Sequence, residues 1–396
     1  MEKYYIWLLM AFGEGEPEIM KLIKRFGTAE KAYRAIEKNV SLVGAELLSR
    51  AESTDLAKAE KLLDKMLSSG YGIITWESKL YPEHLRRTDD PPCVLFTLGD
   101  MSLLQKKLIT VVGSRAVTPP TEAAIPRIIE RLGREYAIVG TLSEGCDQLT
   151  CLNALKAGIP FIEILPCGFS QTYPAGSRSL RKFMVSCGGL IVSEHLPRTK
   201  AGQGTFVRRS RILGGISQVT LVLQAGDKSG ALLTAEHSSA PLFLPPNDIF
   251  RAEYAGAVNA VRNGARLYLS AKSIEKAFAR AKAKEEETNG KTAQKVKFRK
   301  TKAVPKADKS AAKQPAGPAA KEKAPSAESA EKVRKDITFE TEEQSAIYAA
   351  IASSATPVGV EELIAKTGFS ADTLAEALLD LEIAGAVRSS GNRYSI

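Results

Sequence analysis

Histidine is scarce in this chain. Its 396 residues hold three, His84, His195 and His237, set far apart, with neither the spacing of a metal-ligand set nor a Ser, His, Asp arrangement around them. Each reads as a structural or exposed side chain, so no catalytic residue and no metal site is expected. Cysteine is nearly as sparse. Cys93, Cys146, Cys151, Cys167 and Cys187 are an odd set without a CxxC pair, and reduced thiols are expected rather than a disulfide framework, with Cys146 and Cys151 read as buried small residues. No run stays apolar over the roughly eighteen residues that a membrane helix requires. The opening MEKYYIWLLMAFGEGEPE turns acidic where a cleavage site would stand, and the expectation is a cytoplasmic protein with no membrane partner.

What the chain does have is an excess of positive charge. Lysine and arginine number 55 against 45 acidic residues, a net +10, and hydrophobic residues make up 44%. The charge favours a polyanionic partner, nucleic acid before membrane, and the apolar content suffices for two or three folded domains. Much of the excess lies in residues 282–335, rich in Lys, Ala, Glu and Pro, which cannot bury enough surface to fold and read as a disordered linker.

Residues 1–70 read as short helices at 4–12, 16–26, 28–39 and 54–69, punctuated by Gly27, Gly44 and Gly70: a small helical domain of the SAM or helix-hairpin-helix type. Over residues 71–281, apolar runs at 107–112, 136–139, 161–165, 190–193, 219–223 and 242–244 alternate with helical stretches. That alternation predicts an α/β class, a Rossmann-like core whose mostly parallel sheet carries helices on both faces. Residues 336–396 offer helices at 341–352, 359–367 and 370–384, then a hairpin turning at Gly391 and Asn392, the pattern of a winged helix.

Three stretches converge on one anion-binding rim. Gly113, Ser114 and Arg115 follow the first core strand; Arg208, Arg209 and Arg211 cluster where a helix is read to begin; Ser229, Gly230 and Thr234 follow the strand at 219–223. Backbone N–H groups at helix starts favour anions, and open α/β sheets bind ligands at the carboxyl ends of their strands. Arg209 and Arg211 either meet phosphate or pair with acids such as Glu194 or Asp227. Arg178 and Arg181 either extend the groove or are solvated, and Tyr173 and Phe169 are either stacking platforms for bases or core contacts.

In order and spacing, these residues resemble the DNA-processing protein A family (DprA, also called Smf) over nearly the whole chain. The family's Gly, Ser, Arg turn stands at Gly113, Ser114 and Arg115, its Tyr, Pro loop at Tyr173 and Pro174, and its Ser, Glu, Pro segment at Ser193, Glu194 and Pro197. Its Arg, Asn, Arg helix start stands as Arg209, Ser210 and Arg211, and its Ser, Gly and Thr, Ala pairs as Ser229, Gly230, Thr234 and Ala235. The resemblance implies a non-catalytic protein of DNA uptake, natural transformation and recombination that binds and protects single-stranded DNA and helps load the RecA recombinase. It implies no cofactor and a homodimer formed through the Rossmann-like core. Nucleic-acid contacts are expected at Gly113, Ser114, Arg115, Gly145, Tyr173, Arg178, Arg209, Arg211, Ser229, Gly230 and Thr234.

The chain also departs from that pattern. Its GTLSEGCDQLTC segment, residues 140–151, keeps Gly145 and Asp147, but Cys151 stands where His is usual, Ser210 where Asn is, and Pro245 and Pro246 where Pro, Gly is. A divergent member with an altered rim is therefore expected. Two other readings stay open. A Rossmann-like nucleotide phosphoribohydrolase would share the phosphate-friendly rim, though its Pro, Gly, Gly, x, Gly, Thr loop is missing and Pro166, Cys167, Gly168 substitutes poorly. A degenerate interaction protein would have kept the fold and lost the ligand. In the segment 370–384, Asp372, Glu376, Asp380 and Glu382 are the only charges, which predicts that the winged helix contacts protein rather than phosphate.

Overall fold

The computed structural model describes residues 1–38, 42–288, 341–354, 356–369, 373–374, 377–378, 381, 386–390 and 393–395. It divides into two units, Met1–Gln294 and Lys295–Ile396.

The first unit opens with five helices, α1 (Glu2–Phe12), α2 (Pro17–Phe26), α3 (Ala29–Lys38), α4 (Ala45–Glu52) and α5 (Leu56–Ser68). The short α4 is absent from the sequence reading. Helix α1, EKYYIWLLMAF, is apolar on nearly every side, so it lies at the centre: Tyr5, Ile6, Trp7, Leu8 and Phe12 are buried together with Ile19, Leu22 and Ile23 of α2.

A nine-stranded sheet follows, built from β1 (Gly72–Thr75), β2 (Val94–Gly99), β3 (Lys107–Val112), β4 (Tyr136–Gly140), β5 (Phe161–Ile164), β6 (Leu190–Ser193), β7 (Val219–Val222), β8 (Leu242–Leu244) and β9 (Arg266–Leu267). Their order is β1-β2-β6-β5-β4-β3-β7-β8-β9, parallel from β6 to β9, with β1 and β2 added antiparallel at one edge. Strands β4, β5 and β7 are buried along their whole length, as a sheet covered on both faces requires. The intervening helices are α6 (Glu83–Arg86), α7 (Pro119–Glu130), α8 (Cys146–Lys156), α9 (Arg178–Ser186), α10 (Gln203–Ile216), α11 (Gly230–His237), α12 (Ala255–Arg262) and α13 (Ala271–Thr288). Helix α13 continues past Lys282 into the stretch read as linker; residues 289–340 of that stretch and its surroundings lie outside the described residues.

From β3 the chain moves outward through β4, β5 and β6, then returns to lay β7 on the other side of β3. Strand order reverses there, the position at which open α/β sheets take ligands at the carboxyl ends of their strands. Among the described residues, no helix is long and apolar enough to cross a membrane.

The second unit has α14 (Glu342–Ala352), α15 (Val360–Thr367) and a three-stranded antiparallel sheet, β10 (Val358–Gly359), β11 (Arg388–Ser390) and β12 (Arg393–Ser395), in the order β10-β12-β11. Its core joins Ile347, Ile351 and Leu363 to Leu374, Leu378 and Leu381. Leucines of the expected third helix therefore face this core. Most of that helix, including the acids Asp372, Glu376, Asp380 and Glu382, and the hairpin turn at Gly391 and Asn392, lie outside the described residues.

Candidate nucleic-acid interface

The turn leaving β3 is gripped from two sides. On one side, the Gly113 N–H donates to Asp147 Oδ1 at 3.0 Å, the Thr141 hydroxyl lies 2.5 Å from Asp147 Oδ2, and the Cys146 N–H donates to the Ser114 carbonyl at 3.1 Å. Two glycines allow this approach. A Cβ on Gly113 would lie 2.5 Å from Cys146 Cβ, and Gly145, at φ +85°, would place a Cβ 2.3 Å from the Arg115 carbonyl oxygen. On the other side, buried Gln224 beyond β7 accepts from the Thr118 N–H at 3.0 Å and donates from Nε2 to the Ala116 carbonyl at 2.8 Å. The Tyr254 hydroxyl meets Thr118 Oγ1 at 2.5 Å. Held this way, the turn leaves Arg115 exposed.

Arg209, on α10, lies near enough to Asp147 and Arg115 for both charges to act on it. Among the described residues its buried Nε meets no hydrogen-bond partner. Its guanidinium lies 5.3 Å from the centre of the Phe206 ring, which packs against the Tyr173 ring at 5.0 Å. Burial pulls the Arg209 pKa down, Asp147, Tyr173 and Glu163 pull it up, and Arg115 pulls it down again. A shielded cation that has Arg115 near enough to repel it is an arrangement that an anion relieves. Asp147 lies beneath: burial pushes its carboxyl up to about 6, against the opposing pulls of Thr141, Arg209, the Gly113 N–H and Arg115.

Other expected site residues lie differently. Helix α10 begins at Gln203, so Arg208, Arg209 and Arg211 stand beyond its first turn, and the free N–H groups of a helix start are not beside them. Arg211 is buried and committed: Nη2 donates to Glu194 at 2.6 Å, Nη1 to the Asp90 carbonyl at 2.6 Å, and Nε lies 3.1 Å from Asp90 Oδ2. Its donors are thereby turned away from phosphate, and the acidic alternative holds for Arg211 through Glu194, whereas Asp227 accepts from Asn259 at 3.1 Å. Arg208 donates to the Glu14 carbonyl. Thr234 is buried where α11 meets α10, its carbonyl 2.6 Å from where a Cβ on Gly214 would stand, so it packs helices instead of lining the rim.

Ser229 caps α11 by accepting the Ala231 N–H, and Gly230 is exposed beside it, both at the carboxyl edge after β7. Arg178 is exposed at the start of α9. Arg181, by contrast, clasps buried Glu163 through two contacts of 2.6 Å and donates to the Tyr173 carbonyl at 2.7 Å. Of the aromatic candidates, Phe169 packs on Tyr71 at 4.8 Å in the core of the helical front, while Tyr173 joins Phe206 beside Arg209. Cys146 and Cys151 are buried, and burial pushes both thiols up, Cys146 to about 12. The sequence reading missed Phe206 and Gln224. An aromatic one helical turn before Arg209 is a signal that could have found Phe206; a lone Gln at a strand exit carries none.

Residues 72–279 match the family described as DNA recombination-mediator protein A, and residues 318–392 match the DprA winged helix domain. The DNA processing protein DprA of Bacillus subtilis is 32% identical over 222 residues, spanning 55% of this chain and 74% of that protein. The DNA processing protein DprA of Streptococcus pneumoniae is 28% identical over 197 residues, 49% of this chain and 70% of that protein. In the fold, the X-ray structure of the Streptococcus pneumoniae protein superposes with a TM-score of 0.61 at 24% identity, covering 69% of this chain and 97% of that one.

Proposed function

Because the chain belongs to the DNA recombination-mediator protein A family, we propose that it binds single-stranded DNA along the rim at the carboxyl ends of its core strands, beside Arg115 and Arg209, protecting the strand. On this reading it acts in the cytoplasm during natural transformation and recombination, and helps load RecA. One observation carries the reading: the half-buried Arg209, which makes no hydrogen bond or ion pair among the described residues, lies near enough to the exposed Arg115 for the two charges to repel. A phosphodiester supplies the missing charge and acceptors, the half-buried Ser114 and the exposed Arg178 lie along its path, and Tyr173 with Phe206 offers ring surface to a base. Arg211 and Thr234 are left out of the contact set because other groups already hold them. The role asked of these residues is binding, with no covalent step, so the protein is read as a mediator and not an enzyme.

A second copy meets the core at its β9 edge, where Leu267 and Leu269 are exposed, Leu269 by 71%. Sedimentation of Leu269→Lys, monomeric where the parent chain is dimeric, would support that surface; an unchanged dimer would move it elsewhere.

Binding of a labelled oligothymidine at low and moderate salt tests the main reading, with Arg115→Ala, Arg209→Ala as the comparison. The double variant is expected to bind at least about tenfold more weakly and to show a shallower salt dependence, two phosphate contacts having been lost. Equal binding by both proteins would take the site away from this rim.

A further inference from the structure

We propose that Asp147 is a proton-linked positioning residue of the phosphate site: it takes up a proton from solvent when a phosphodiester settles against Arg209 and Arg115, so the chain holds single strands more tightly as pH falls. This rests on the single-stranded DNA reading above and adds to it how the site responds to its surroundings.

The geometry serves either protonation state. Asp147 Oδ1 accepts from the Gly113 N–H at 3.0 Å and does so whether or not Oδ2 carries a proton. Thr141 Oγ1 lies 2.5 Å from Oδ2 and 2.9 Å from Ser143 Oγ. With the carboxylate charged, the Thr141 hydroxyl donates to Oδ2. With it protonated, Oδ2 donates to Thr141, and the hydroxyl turns its own proton to Ser143. Neither state leaves a polar atom unmet, and the Gly113 turn keeps its anchor in both.

The surrounding charges set the direction. Arg209 from α10 and Arg115 from the β3 turn both favour the carboxylate, and burial opposes it. On its own helix, Cys146 is held as a neutral thiol, and Glu144 in the preceding loop is exposed. Glu163, across on β5, is clasped by Arg181. An arriving phosphate neutralises the two arginines that keep Asp147 ionised and adds a negative charge facing it. Both effects raise the affinity of Asp147 for a proton. Starting from about 6, a further rise of about one unit on binding strengthens affinity several-fold, up to about tenfold, between pH 8 and pH 5.5.

The test is oligothymidine binding by the full chain from pH 8 to pH 5.5, together with proton uptake in weak buffer, for the parent and for Asp147→Asn. Thymine and phosphodiester groups do not titrate in that interval. The amide keeps an acceptor for Gly113 and cannot titrate. The expected result is a parent affinity that climbs as pH falls, with proton uptake, against a flatter Asp147→Asn profile that lies above the parent at pH 8. Parallel profiles, or equal proton uptake, would overturn the proposal while leaving DNA binding intact. Sulfate serves as a second probe: if oligothymidine fails to bind but sulfate binds with proton uptake that Asp147→Asn abolishes, the DNA reading falls and the proton linkage stands. Should neither anion bind, both fall.

Discussion

Arg211 and Glu194 are joined at 2.6 Å with both side chains shielded from water, whereas Arg209, two positions earlier on the same helix, makes no hydrogen bond or ion pair among the described residues. Successive helix positions differ by about 100°, so positions two apart face nearly opposite ways. One arginine is thereby built into the protein, and the other is left for a ligand.

The two should separate cleanly on substitution. Arg211→Ala strands Glu194 in a shielded site and is expected to cost about 3 kcal/mol of stability. Arg209→Ala removes a half-buried charge that makes no hydrogen bond or ion pair among the described residues, and should leave stability nearly unchanged while lowering oligothymidine affinity about tenfold. Urea unfolding and binding, measured on both variants, would expose the opposite pattern if the roles have been exchanged.

Gln224 should behave as part of the site without touching DNA. Replacing it with Leu leaves the Thr118 N–H without its acceptor, at about 2 kcal/mol, and releases the turn that carries Arg115. Weaker oligothymidine binding by Gln224→Leu, with the slope against salt unchanged, is the expected signature. A steeper or shallower slope would mean that a phosphate contact itself had changed.

Glu14 ties the helical front to the core. It accepts from the Leu196 N–H at 2.7 Å and the Thr199 hydroxyl at 2.6 Å, and meets His195 Nδ1 at 2.5 Å. Burial raises its pKa, but the hydrogen bonds from His195, Thr199 and Leu196 outweigh that, and the folded value lies below the ordinary 4.5. A lowered carboxyl contributes stability in full above its unfolded value. The contribution is lost as pH drops below about 4.5 and through the folded pKa. Thermal melts between pH 7 and pH 3.5 should therefore fall less steeply for Glu14→Gln than for the parent; parallel curves would count against this linkage.

Much of the core is legible in the sequence because its strands are buried on both faces, and that burial demands unbroken runs such as TLVL after Val219. Strand β9 escapes notice for the converse reason: Arg266 and Leu267 are two exposed residues at an edge, with no pattern to read. Helix α4 buries Ala51 and little else, leaving a weak periodic signal over its short length. Within the candidate site, the Gly113, Ser114, Arg115 turn announces itself by residue type. The division between Arg209 and Arg211 does not, since it depends on Asp90 and Glu194, brought from distant parts of the chain. Gln224 is equally silent, because its meaning lies in the Ala116 and Thr118 backbone across the sheet.

Strand β2 has one more consequence. Val94 and Phe96 belong to the cluster formed with the front helices, while Leu95 belongs to the cluster beneath the sheet. Trimming residues 1–70 to obtain a minimal core would thus uncover an apolar face of the sheet margin itself, producing a sticky fragment prone to self-association. The helical front is the lid of that margin, and a usable truncation of this protein has to begin at its first helix.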